Sequence, residues 1–247
     1  MLLHGFAASS FEFRFWIPKL AERHQVWAVD LKGHGSSPAP PDGRYSPHDH
    51  AELVHRLIVQ EDLRDLTLIG HSMGGGIALA VALSLVEEGR LERLILVSSA
   101  AFPQPLPGFI TLARRGRLTR WLLAMIPKGP LVGLILRAIV FDRASVTASQ
   151  VEGYAAPLRS PQTRLALIHT ALQIMPEDGA EHTARYGEID VPTLLLWGRH
   201  DRVIPLSVGE RLLSVLPRAR LEVLEECGHL VPEELPEASL EMVLGFL

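Results

Sequence analysis

The segment Gly70-His71-Ser72-Met73-Gly74 constrains this chain more than any other, because it fits G-x-S-x-G between a short apolar run and a long helical one. Residues 66–69 read as a buried strand, and a helix is predicted from about Gly75. A sharp strand-to-helix turn there lifts the Ser72 hydroxyl above a sheet edge, and Gly70 and Gly74 let neighbouring backbone come close. The bland alternative is a glycine-rich turn with an incidental serine, and the strand-turn-helix setting argues against it. A phosphate or dinucleotide loop is excluded by spacing, since neither G-x-G-x-x-G nor G-x-x-x-x-G-K occurs.

The same strand-turn-helix rhythm recurs. Apolar runs at 25–30, 66–69, 94–97, 193–197 and 221–224 lack alternation, which predicts strands buried on both faces of a parallel sheet. Segments 49–60, 75–88, 205–216 and 236–246 have apolar spacing that suits helices packed on such a sheet. The class is α/β. Between Ser98 and Thr193 no convincing strand occurs, and prolines punctuate helical runs at 118–126, 131–141, 147–155 and 162–175, which predicts a helical insertion over one end of the sheet.

Composition excludes several functions. With 24 Lys+Arg against 28 Asp+Glu there is no global basic field, so nucleic acid is not an expected partner. The most apolar stretches, 76–86 and 131–141, are far shorter than the roughly 20 residues a bilayer core requires, so no stable membrane insertion is expected. The single Cys227 leaves no internal disulfide. Met1-Leu2-Leu3-His4-Gly5 shows no leader pattern, and the expected location is cytoplasmic. His48, His50 and His55 lack H-E-x-x-H spacing and a carboxylate cluster, so they read as a solvated helix start; no metal and no cofactor is expected.

A serine hydroxyl is a weak nucleophile that needs a base, itself oriented by a carboxylate. Both candidates follow Ser72 in the chain. Asp201 lies just beyond the carboxyl end of the strand at 193–197, and His229 just beyond that at 221–224. All three therefore belong to loops at one sheet edge, where α/β folds place their sites. Asp190 is a rival acid, but it precedes its strand and falls at the opposite end. His4, His34, His71 and His200 read as hydrogen-bonding groups around the site rather than bases.

Taken together, His4-Gly5-Phe6, Asp30-Leu31-Lys32-Gly33-His34-Gly35-Ser36, the turn around Ser72, Trp197-Gly198-Arg199-His200-Asp201 and Cys227-Gly228-His229 resemble the α/β-hydrolase superfamily, in its lipase/esterase-like group. The resemblance covers nearly the whole chain. It implies a core of residues 1–101 and 187–247, a helical cap at 102–186, and an oxyanion hole made by the backbone N–H groups of Phe6 and Met73. His71, Phe102, Trp121 and Phe141 are the candidates for lining a substrate pocket.

Three functions follow from this reading. The first is a serine hydrolase cleaving small-molecule carboxylic esters of short to medium acyl chain. The second is a serine-dependent C–C bond hydrolase of ring-cleavage dienoates, which the Trp-Gly-Arg-His-Asp and Cys-Gly-His segments also resemble; His71 favours the esterase, since those enzymes more often carry asparagine there. The third is a non-catalytic small-ligand binding protein, disfavoured by the intact Ser72, Asp201 and His229. Relatives also carry a strand pair ahead of the His-Gly segment. The sequence therefore predicts either a shortened chain or a fold of about six strands, whose strand at 25–30 forms an open edge available to a homodimer.

Overall fold

The computed structural model describes residues 1–106, 108–114, 116, 128–175 and 179–247. Among these residues six strands form one sheet: β1 (Leu2–Leu3), β2 (Ala28–Val29), β3 (Leu66–His71), β4 (Leu91–Val97), β5 (Thr193–Gly198) and β6 (Ala219–Leu224). Their order is β2-β1-β3-β4-β5-β6, and each neighbouring pair is parallel. Parallel pairing puts every strand's carboxyl end on one edge, so the loops after β1, β3, β5 and β6 converge there. The strand expected over 25–30 contracts to Ala28–Val29. Its one partner, β1, offers only Leu2 and Leu3 for pairing.

Successive residues of a strand point to opposite faces, and here both faces are covered. Leu94 and Leu96 of β4 and Leu195 and Trp197 of β5 join a core with α2 (Pro47–Gln60), α3 (Met73–Glu87) and α9 (Leu206–Val215). Ile95, Val97, Leu194 and Leu196 point the other way, into a core with Leu20 of α1 (Ile17–Leu20) and with Leu240 and Val243 of α10 (Pro236–Leu244). A strand buried on both sides has no polar face to alternate, which is why the β4 and β5 runs are uniformly apolar; β6, at the sheet edge, departs from the expectation for 221–224, carrying Glu222 and staying only partly buried over most of its length.

The segment between β4 and β5 holds α4 (Gly108–Arg114), α5 (Lys128–Ile139), α6 (Ala148–Ala155), α7 (Pro161–Gln173) and α8 (Gly179–Ala184), with no strand among the described residues. The Thr147 side chain accepts from Gln150 N to start α6, and Ser160 accepts from Thr163 N to start α7, whose first residue is Pro161. The helical run expected at 118–126 lies outside the described residues. Val132, Leu136, Tyr154 and Ala155 of α5 and α6 pack with Ala8 and Leu230, residues of the loops after β1 and β6. That small core seats the inserted helices over the sheet edge where the loops converge.

Candidate active site

Ser72 adopts φ 52° and ψ −119°, a left-handed backbone that a side-chain-bearing residue takes up only under constraint. The constraint is local. Ser72 N donates to Val97 O at 3.0 Å, while Ser72 O accepts from Gly75 N at 3.0 Å and Ala100 N at 2.9 Å. A Cβ on Gly70 would sit 2.5 Å from Gly74 O, and one on Gly74 would sit 2.2 Å from Leu3 O, so this turn closes only with glycine at both positions. The outcome is an Oγ held at the top of β3.

His229 Nε2 lies 3.0 Å from Ser72 Oγ, and His229 Nδ1 lies 2.8 Å from Asp201 Oδ2. Asp201 Oδ1 accepts from Val203 N and Ile204 N at 2.8 and 2.9 Å. Burial pushes the Asp201 carboxyl up, but the adjacent His229 and the two backbone donors outweigh it and hold its pKa below the ordinary value. The structure therefore brings together the three residues read as nucleophile, base and acid, all of them buried. Asp190 stays at the opposite end, before β5.

Met73 opens α3, so its N–H belongs to the first helical turn and has no intrahelical carbonyl to meet. Phe6 follows β1. The carbonyl of Gly5 is engaged by His4 Nδ1–H at 2.8 Å and by Ala8 N at 3.3 Å. Because the connecting peptide is planar and trans, fixing that oxygen also fixes the Phe6 N–H on the opposite side. His4 is locked in turn, its Nε2 accepting from Leu31 N at 3.0 Å; burial lowers its pKa and keeps the ring neutral. Phe6, Met73, Ser72 and His229 all face one cavity of about 280 Å³.

That cavity is predominantly apolar. Leu131, Val132, Ile135, Leu136 and Ile139 of α5 form one wall. Phe102 faces it. Phe141 does not: it lies past the end of α5, is 40% exposed, and stacks on His200 with ring centroids 4.7 Å apart. Its backbone N–H donates to Glu234 Oε2 at 2.7 Å, an anchor that turns the chain away from the cavity. Trp121 lies outside the described residues. His71 reaches the cavity, but its ring nitrogens are engaged elsewhere, Nε2–H donating to His229 O at 2.8 Å and Nδ1 lying 2.8 Å from Glu12 Oε1.

Two histidine expectations need correction. His50 is buried, not solvated, in ring contact with His34 and Tyr45, and burial drives its pKa down to about 4. His48 sets its ring against that of His182, tilted with centroids 4.5 Å apart, and faces the cavity. Among the described residues no group of three or more His, Cys, Asp or Glu side chains could hold a metal ion, and no helix is long and apolar enough to cross a membrane.

Sequence reasoning missed Glu12. It sits in a 3₁₀ turn, Ser10–Phe13, where it is 1% exposed and pairs with His71. The one available signal was a carboxylate flanked on both sides by phenylalanine in Phe11-Glu12-Phe13.

A family described as alpha/beta hydrolase fold matches residues 1–236. An uncharacterized hydrolase, YugF, of Bacillus subtilis is 30% identical over 99% of this chain and 88% of its own length. A 2-hydroxy-6-oxononadienedioate/2-hydroxy-6-oxononatrienedioate hydrolase of Cupriavidus pinatubonensis is 27% identical over 93% of this chain and 78% of its own. Among solved structures, an alpha/beta hydrolase fold protein from Burkholderia ambifaria superimposes with a TM-score of 0.86 at 28% identity, over 99% of this chain and 88% of that one.

Proposed function

The chain belongs to the alpha/beta hydrolase fold family, and from that premise we propose that it is a serine hydrolase cleaving small carboxylic esters of short to medium acyl chain through an acyl-enzyme. The observation that carries the reading is the Ser72–His229–Asp201 hydrogen-bonded chain opening onto an apolar cavity. Asp201 holds His229 with its proton on Nδ1, leaving Nε2 free to take the Ser72 proton. Ser72 Oγ attacks the ester carbonyl. The Phe6 and Met73 N–H groups meet the oxyanion, each worth roughly 3 to 4 kcal/mol in such sites. His229 then protonates the leaving alcohol, and water attacks the acyl-enzyme by the same route in reverse.

The cavity supports a neutral, compact substrate. Its volume of about 280 Å³ falls just under the roughly 300 to 1,000 Å³ of small-molecule sites. Among the described residues its one lining group that is charged irrespective of histidine protonation is Glu12, an anion. A substrate carboxylate entering there would be desolvated beside that anion with no lysine or arginine among the described lining residues to meet it, at a cost of several kcal/mol. Residues 102–186 act in this reading as a cap over a core of 1–101 and 187–247, enclosing the substrate rather than opening to an oil surface.

The second reading is hydrolysis of a C–C bond in a ring-cleavage dienoate, favoured by the activity named for the Cupriavidus pinatubonensis relative, whose substrate is a dicarboxylate. A panel of p-nitrophenyl esters from acetate to palmitate, with a dienoate ring-cleavage product alongside, separates the two. Fastest turnover is expected at short to medium acyl length. Faster cleavage of the dienoate than of any ester transfers the assignment to the second reading. Absence of both turnover and fluorophosphonate labelling leaves a binding protein.

A further inference from the structure

The Glu12–His71 pair is unused by the chemistry above, yet it touches three of the loops that build the site. Glu12 Oε2 accepts from Gly5 N at 3.4 Å, next to the peptide that presents the Phe6 N–H. Glu12 Oε1 lies 2.8 Å from His71 Nδ1, off the N–H axis, a charge contact more than a linear hydrogen bond. His71, the residue before Ser72, donates from Nε2 to the backbone carbonyl of His229 at 2.8 Å. Both side chains are 1% exposed. A Cβ on Gly5 would lie 3.2 Å from both His71 Nδ1 and Ser72 Cβ, so the loop after β1 has little room to shift against the turn.

The geometry points to Glu12 and His71 as a positioning pair: a doubly protonated His71, held between the Glu12 carboxylate and the His229 carbonyl, fixes the Phe6 loop and the His229 loop relative to Ser72. The protons follow from the partners. A carbonyl oxygen only accepts, so Nε2 carries one proton. The Glu12 carboxylate 2.8 Å from Nδ1 sets negative charge against that nitrogen, which favours the second proton there. The other titratable groups facing His71 are His4 on the loop after β1, Asp201 on the loop after β5, and the His229 ring, with centroids 4.8 Å apart. Burial opposes a charged His71; Glu12 first, then the His229 carbonyl and Asp201, outweigh it and raise its pKa. Burial likewise opposes a charged Glu12, and His71 overcomes it, lowering the Glu12 pKa.

This inference rests on Ser72 being the nucleophile, and fluorophosphonate labelling reads that nucleophile without a known substrate. In the wild-type chain carrying ¹⁵N-histidine, at pH 7, His71 is expected to show protons on both ring nitrogens. A ring protonated on one nitrogen, with the proton held by Glu12, overturns the pair as described. Glu12→Gln removes the charge that holds the imidazolium. Labelling should slow by about 10- to 100-fold, and the loss of rate at alkaline pH should move about one pH unit or more lower. His71→Asn should slow labelling comparably and abolish that alkaline loss, because Asn does not titrate. The double variant should be no slower than the slower single one, as expected of coupled neighbours. Slower labelling with the wild-type pH profile retained in both single variants would mean a merely structural role and overturn the proposal. If wild-type chain is labelled no faster than Ser72→Ala, the nucleophile reading fails instead, and the histidine spectrum still decides the pairing.

Discussion

His229 Nδ1 lies 2.8 Å from Asp201 Oδ2, while the other oxygen of that carboxylate is held by the N–H groups of Val203 and Ile204. Both oxygens are thus committed, and the carboxylate cannot turn without losing a partner. Asp201→Asn keeps the shape but offers an N–H₂ group where His229 requires an acceptor, which favours the imidazole tautomer with its proton on Nε2. Ester turnover should fall on the order of 10⁴-fold with the fold intact. Ser72→Ala and His229→Ala should each lower kcat by several orders of magnitude. Near-wild-type kcat in folded Asp201→Asn would assign the acid role to another residue.

His4 gives a second expectation. Its Nδ1–H fixes the Gly5 carbonyl and so the direction of the Phe6 N–H, but it is not among the residues facing the cavity. His4→Ala should therefore lower kcat by roughly 10- to 100-fold, a fraction of what losing an oxyanion donor outright costs, and leave KM nearly unchanged. A rise in KM with kcat retained would show that this loop binds substrate rather than stabilising the transition state.

The site was legible in the sequence where chemistry is tied to strand ends. Ser72, Asp201 and His229 each follow a recognisable apolar run, and parallel pairing then brings those ends together whatever the loop details. Phe141 misled because its helical spacing continues the pattern of α5, whereas the helix stops at Ile139 and the Glu234 carboxylate captures the next turn. That capture depends on a residue far along the chain. The flanking phenylalanines hinted that Glu12 is buried, but its pairing could not be read for the same reason: a buried carboxylate is tolerable only beside its partner, and nothing near Glu12 announces His71. His50 read as solvated because histidines near a helix start are ordinarily exposed. Its burial comes from rings contributed by other loops.

Those buried histidines set an acid limit on stability. Folded His50 stays neutral down to about pH 4, whereas in the unfolded chain an imidazole protonates below its ordinary value of 6.5. Between those values the unfolded state binds more protons, so stability falls as pH falls, by up to about 3 kcal/mol from His50 alone. His4 and His34, also lowered by burial, act in the same direction. His71 acts oppositely, its contribution being complete below 6.5 and lost as pH rises through its elevated value. The melting temperature should therefore decline from about pH 6.5 towards pH 4. His50→Phe, which keeps a ring against Tyr45 and His34, should flatten that decline; parallel curves for the two proteins would remove His50 from the account.

Glu233 joins the inserted helices to the core. Its fully buried carboxylate meets Arg14 Nη1 at 2.8 Å and accepts from Tyr154 Oη at 2.6 Å and from Gln150 Nε2, the last two on α6. Tyr154 also faces the cavity, so this carboxylate fixes part of the cavity wall. Removing one partner of a buried ion pair leaves the other desolvated, at a cost of about 3 to 5 kcal/mol, discounted here because Arg14 keeps a quarter of its side chain in water. Glu233→Ala should accordingly lower the melting temperature by several degrees, at about 2 to 4 °C per kcal/mol for a chain of this size. Tyr154→Phe loses only the hydroxyl, a hydrogen bond to a charged group worth about 1.5 to 3 kcal/mol, and leaves Arg14 paired. Because its ring stays in place beside the cavity, Tyr154→Phe should melt lower with KM for short esters almost unaltered, whereas Glu233→Ala should raise KM as α6 loosens. Thermal unfolding and ester kinetics on the two variants check this together. If Glu233→Ala leaves both melting temperature and KM at wild-type values, the inserted helices are held by the apolar contacts of Val132, Leu136 and Leu230 alone.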